Sequence, residues 1–95
     1  MEQNYNIGWS ETALNELAKF FYPPQIKEKI YLDSLRKLSF MPTLSAKRIP
    51  FGEWQNYWAR LGLYKVTLIF ELDEKHKVVY IDAIKHKRQN KYWIK

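Results

Sequence analysis

The 95-residue sequence has no cysteine, only two histidines (His76 and His86), three glycines, and no apolar run near the ~20 residues that span a bilayer. Each scarcity removes a class of protein. Without cysteine there is no disulfide framework and no thiolate metal site, and two histidines are too few for most zinc enzymes. The opening MEQNYN lacks a signal-peptide pattern, so the expectation is a cytoplasmic protein that does not engage a membrane. The length suits one domain over residues 1–95, since domains usually run to roughly 100–150 residues. So short a chain buries only about 60–65% of the surface it exposes when unfolded. Its sixteen aromatics (four Trp, seven Tyr, five Phe) therefore carry much of the core.

Charge is unevenly placed. The formal net charge is +6. Residues 1–42 hold five basic and five acidic side chains, whereas 43–95 hold eleven basic and five acidic. Residues 85–95 carry Lys85, Lys87, Arg88, Lys91 and Lys95 with no acid among them. Such asymmetry points to a polyanionic partner, against the plainer reading of a solvated basic tail.

Tyr5, Ile7 and Trp9 alternate with polar or small residues, as in a short strand. Ser10 is placed to cap a helix, and Glu11 favours its first turn. Leu14, Leu17, Ala18 and Phe21 then form one apolar stripe at helical spacing, stopped by Pro23-Pro24. Pro24 suits the first position of a second helix, which runs to about Leu38 with Ile26, Ile30, Tyr31, Leu35 and Leu38 inward. Residues 42–53, with two prolines and a glycine, form a loop. Beyond it the period becomes two. One strand ends at Gly62, a second covers 64–72, residues 73–76 turn, and a third covers 77–84. This last strand is apolar on both faces and so belongs in the middle of the sheet. The expected fold is α+β, ordered β-α-α-β-β-β, with two N-terminal helices on one face of a mostly antiparallel four-stranded sheet. Arg60 and Lys65 are expected to project together from the open face, with Trp58 beside Arg60, while Trp9, Tyr57 and Tyr64 fall in the core by alternation.

The sequence resembles toxins of the RelE/ParE superfamily from type II toxin–antitoxin modules, over nearly its whole length. The resemblance lies in the strand that runs straight into a helix (YNIGWSETALNELAKF). It lies most of all in ARLGLYKVTLIFELDEKHKVVYIDAIKHKRQNKYW, which is similar to the family's Arg-x-Gly-x-Tyr-Arg turn, central hairpin and closing basic cluster with a tyrosine. It implies a small endoribonuclease that cuts mRNA in the ribosomal A site without metal or cofactor and is held by a cognate antitoxin. Under it, Arg60 matches the arginine before the glycine turn. Lys65 stands where the family usually has arginine, so a point charge replaces a bidentate clamp. His86, Lys87 and Arg88 match the basic cluster, and Tyr92 the terminal tyrosine.

RNA cleavage without a metal needs the 2′-hydroxyl deprotonated, the 5′-oxygen protonated, and charge on the phosphorus stabilised. Arg60, Lys65 and Arg88 supply cations for the last task. Histidine is the side-chain type whose unperturbed pKa lies near neutrality, which makes His86 the candidate for proton transfer. Lys65, if neighbouring cations depress it, and Glu53 are rival bases, so the acid and base assignments stay open. Lys47, Arg48, Lys85, Lys87 and Lys91 are candidate phosphate contacts, and Tyr92 or Trp93 could stack on a splayed base. Plainer readings stand beside these. His86 could cap the last strand, Lys47-Arg48 could be a solvated pair, Tyr92-Trp93 could pack on the sheet edge, and His76 is a solvated loop residue. Two other functions share the pattern: a ParE-like poison of DNA gyrase, and a non-catalytic RNA-binding relative.

Overall fold

The strand and cap signals at the start of the chain are realised in sequence. In a computed structural model, which describes residues 4–86, β1 (Asn6–Trp9) leads through Ser10 into α1 (Glu11–Ala18). Ser10 is extended, and its Oγ accepts the Ala13 N–H at 3.0 Å, satisfying one of the helix's orphan donors. Pro24 opens α2 (Pro24–Ser39) at the position where its missing N–H is harmless. Then follow β2 (Lys47–Arg48), β3 (Trp58–Leu61), a 3-10 turn (Leu63–Lys65), β4 (Val66–Asp73) and β5 (Val78–His86). No helix among the described residues is long and apolar enough to cross a membrane.

The fold is α+β, as expected, but among the described residues the sheet has five strands, in the order β1-β5-β4-β3-β2, and is mixed. β1 lies parallel to β5, with Trp9 opposite Ile81, and the other pairs are antiparallel. The additional strand, β2, lies in the expected loop and pairs Lys47 with Ala59 and Arg48 with Trp58. Two residues between prolines are too few to show a period. β5 is interior, as its two apolar faces require.

The stripe on α1 differs from the expected one. Ala13 and Leu17 are buried and Phe20 packs against the core, while Leu14 is exposed and Phe21 wholly so, at 102%. Positions 13, 17 and 20 also satisfy helical spacing. The helix rotates to them because Ser10 N–H is tied to Ile81 O at 2.9 Å and Ser10 Oγ to Asp82 O at 3.1 Å. α2 buries Ile30 and Leu38 as expected, together with Asp33 and Ser34. The Asp33 carboxylate is paired with Arg36 and Lys37, each at 2.7 Å, as a buried charge must be. Ser34 Oγ accepts from the Trp9 indole at 3.2 Å.

The main core lies between helices and sheet around Leu17, Ile30, Leu38, Val66, Leu68, Phe70, Val79, Ile81 and Ile84. The opposite face is not fully open. Ile49, Ala59, Ile69 and Ala83 are buried there under Trp54 and Tyr57, brought over them by the loop between β2 and β3. Register explains which residue goes where. Ile69 faces Ala83 but Phe70 faces Ile81, so Asp82 is the extra residue of a β-bulge. Before it, Val79 and Ile81 face the helices; after it, Ile84 and His86 do.

Asp82 carries the cost of that bulge. Its Oδ2 is buried and has no hydrogen-bond partner among the described residues. Burial first, and then the neighbouring Glu71 carboxyl, push its pKa up to about 7, against a slight opposing effect of the Tyr57 hydroxyl. The folded protein thus keeps a proton that the unfolded chain releases at the ordinary value of 3.8. The sign follows by linkage: the stability is intact below the unfolded value and falls as pH rises through about 7. Asp82→Asn is therefore expected to raise the melting temperature at about pH 8 and to flatten its fall between acid and neutral pH. Thermal unfolding over a pH series checks this.

Candidate functional site

Most of the residues singled out in the sequence fall into three groups. Lys65 and His86 lie at one end of the sheet, where Val66, next to Lys65, pairs with His86. Lys47, Arg48 and Arg60 lie on or near the β2–β3 edge. Lys87, Arg88, Lys91, Tyr92 and Trp93 lie outside the described residues.

The end that holds His86 is built by two turns. The β3–β4 connection closes with Gly62 N–H on Val66 O at 2.7 Å, and Tyr64 and Lys65 both adopt positive φ, 56° and 62°. A left-handed backbone is unusual for side chains of this size and is held only by its surroundings. It leaves Tyr64 exposed rather than in the core expected from alternation, and Lys65 exposed beside it. The second turn joins the helices. Tyr22 precedes Pro23, which biases it to an extended conformation. Its hydroxyl reaches Tyr64 O at 3.2 Å and His86 Nε2 at 3.1 Å. Phe20 meets the imidazole edge-on at 6.3 Å, and the Tyr22 ring lies 5.7 Å from that of Tyr64.

Arg60 does not project from the open face with Lys65. It pairs with Leu68, which faces the helices. There its Nη1 donates to Lys37 O and Met41 O at 3.1 Å and to Pro42 O at 3.3 Å. The guanidinium thus holds the end of α2 and the chain leaving it. Burial lowers its pKa, and Asp33 acts the other way. Trp58 shares that face and packs on the main core, with the Arg48 guanidinium 4.8 Å from its ring centre. Arg48 also donates from Nε to Asn56 O at 2.9 Å. A shallow depression of about 220 Å³ is lined by Lys47, Arg48, Ile49 and Pro50. Lys85 is half-buried, with its ammonium 3.4 Å from Glu16 Oε2, so part of its charge is balanced. Glu53 is exposed in the loop before β3. His76 is bonded within its own turn, Nδ1 lying 2.9 Å from Asp73 Oδ2. Among the described residues no three His, Cys, Asp or Glu side chains gather as a metal would need.

Two features of the region carry no local signal in the sequence. Tyr22 meets His86 across a separation of 64 residues, and the one hint of its place is the Pro-Pro that follows. The Tyr57–Glu71–Asp82 group depends on the bulge.

The fold is that of RelE-like toxins. A chain of the RelBE2 toxin–antitoxin complex from Mycobacterium tuberculosis superposes with a TM-score of 0.74 at 23% identity, covering 87% of this chain and 91% of that one. The intact Escherichia coli RelBE toxin–antitoxin complex gives 0.62 at 15%, covering 86% and 95%. The archaeal RelE–RelB complex from Pyrococcus horikoshii OT3 gives 0.65 at 15%, covering 88% and 96%. No protein-family model and no curated protein matches the sequence significantly, so the likeness is one of fold.

Arg60→Ala is expected to destabilise the protein by about 2 kcal/mol, because three carbonyls lose a charged donor at once. The shift of the urea midpoint at constant slope measures it.

Proposed function

We propose that this chain is the toxin of a toxin–antitoxin pair and that it cuts mRNA in the ribosomal A site without a metal, acting in the cytoplasm. The observation that carries the reading is the meeting of His86 with the Lys65 turn at one end of a RelE-like sheet. His86 transfers a proton, as base toward the 2′-hydroxyl or acid toward the 5′-oxygen. The exposed Lys65, with Arg88 and Tyr92 beyond β5, faces the scissile phosphate and stabilises the charge that builds on it. Arg60, with Nη1 on three carbonyls, contributes by holding the scaffold and adding positive field.

Lys47, Arg48, Lys85, Lys87 and Lys91 hold neighbouring phosphates, and Trp93 stacks on a base. Arg48 over Trp58 supports that use of the β2 edge, since it presents a fixed cation beside the depression. The cognate antitoxin is a protein whose acidic or amphipathic segment covers the basic surface. That the similar solved structures are toxin–antitoxin complexes supports such a partner.

Purified protein added to a reconstituted translation reaction, with mRNA ends mapped by primer extension, tests the reading. Ribosome-dependent cuts within codons are expected, and His86→Ala and Lys65→Ala should each slow them by at least about a hundredfold. Intact mRNA under these conditions would sink the nuclease assignment and direct attention to gyrase. Cuts made equally well without ribosomes would move the substrate.

A further inference from the structure

Two backbone bonds close the β3–β4 connection, Gly62 N–H to Val66 O at 2.7 Å and Val66 N–H to Leu63 O. Tyr64 and Lys65 are therefore the central pair of a tight turn, and both have positive φ, 56° and 62°. A hairpin turn that is left-handed at both centres suits asparagine and glycine. Larger side chains crowd the backbone there, so tyrosine and lysine are poor choices on local grounds. Backbone held against the preference of its residues points to a task outside the turn itself.

The surroundings show what the turn does with the pair. Lys65 is exposed and Tyr64 keeps 39% of its surface open, at the end of the sheet where Val66 pairs with His86. Tyr22 supports the Tyr64 ring from one side, with centroids 5.7 Å apart and planes at 50°, and its hydroxyl stands 3.2 Å from Tyr64 O. The His86 imidazole lies against the same Tyr22 ring, at 6.1 Å. An aromatic surface, an ammonium and an imidazole thus share one corner of the protein. A ring already buttressed has little freedom left to lose when a flat ligand settles on it. Beside a cation, the flat ligand that fits best is a base of a single-stranded nucleic acid. Its face stacks on the ring while the adjoining phosphate meets the ammonium.

We propose that Tyr64 is a stacking platform for a base of single-stranded RNA, with Lys65 on the neighbouring phosphate. That the base belongs to mRNA at the point of cleavage rests on the function proposed above; the stacking does not.

A short single-stranded RNA carrying 2-aminopurine, whose fluorescence falls when the base is stacked, is titrated with the full chain at low salt. Quenching is expected with the unsubstituted protein and with Tyr64→Phe, which keeps the ring. Tyr64→Asn removes the ring but tolerates a left-handed backbone, so the turn survives, and its affinity should be about tenfold weaker. A second measurement needs no folded Tyr64→Asn. The Tyr64 ring protons of the unsubstituted protein, assigned by comparison with Tyr64→Phe, should move upfield as the RNA is added. Equal affinity of Tyr64→Asn, or unmoved ring protons, overturns the proposal. So does an absence of quenching by the unsubstituted protein, which would leave the ring to a protein partner. In the cleavage assay Tyr64→Asn should slow cutting about tenfold, to a similar degree at every codon, since every base has a face to stack. Undiminished cutting overturns the platform's part in cleavage. Absence of cleavage by the unsubstituted protein defeats the function proposed above alone, and the titration still decides the stacking.

Discussion

The arrangement at the His86 end of the sheet depends on one extra residue in one strand. Asp82 bulges out of β5 between partners that face Ile69 and Phe70, and the side-chain alternation changes phase there. Without it, Ala83 and Lys85 would point toward the helices and His86 away from them. With it, Ile84 completes the core and His86 arrives against Phe20 and Tyr22. The bulge places a carboxylate where water is scarce, beside Glu71 and under Tyr57, and so its geometry is obtained at some cost in stability.

α1 is the element that makes the bulge tolerable. Its capping residue gives a hydrogen bond to Asp82 O and another to Ile81 O, while Glu16, nearly two turns later, accepts the Ile84 N–H at 2.8 Å. The helix is thus bonded on both sides of the irregularity. This also fixes its rotation about its own axis and, through the short connection that follows, the position of Tyr22.

How much of this was readable in the sequence depended on whether the cause was local. Ser10 and Pro24 marked the helix starts because capping chemistry and proline geometry act within a few residues. The long strands declared themselves by alternation. β2 did not, being two residues long, nor did the face of Arg60, which the register with Leu68 decides. Helical spacing alone allows an α1 stripe at 14, 17, 18 and 21, yet hydrogen bonds to β5 select 13, 17 and 20. His86 and Lys65 stood out by their chemistry together with the resemblance of the segments that carry them to the toxin family's motifs. Tyr22 did not, because its partners lie 42 and 64 residues further along. Tyr64 passed for a core residue because alternation says nothing of a left-handed turn.

The contact between Glu16 and Ile84 has a further meaning. β1 ends opposite Ile81, so among the described residues no strand lies beside the last residues of β5 on that side. Bare strand edges recruit other chains. Here a side-chain carboxylate occupies the Ile84 amide and also draws the Lys85 ammonium toward it. The helix therefore caps the sheet sideways, occupying a hydrogen bond that an incoming strand would need.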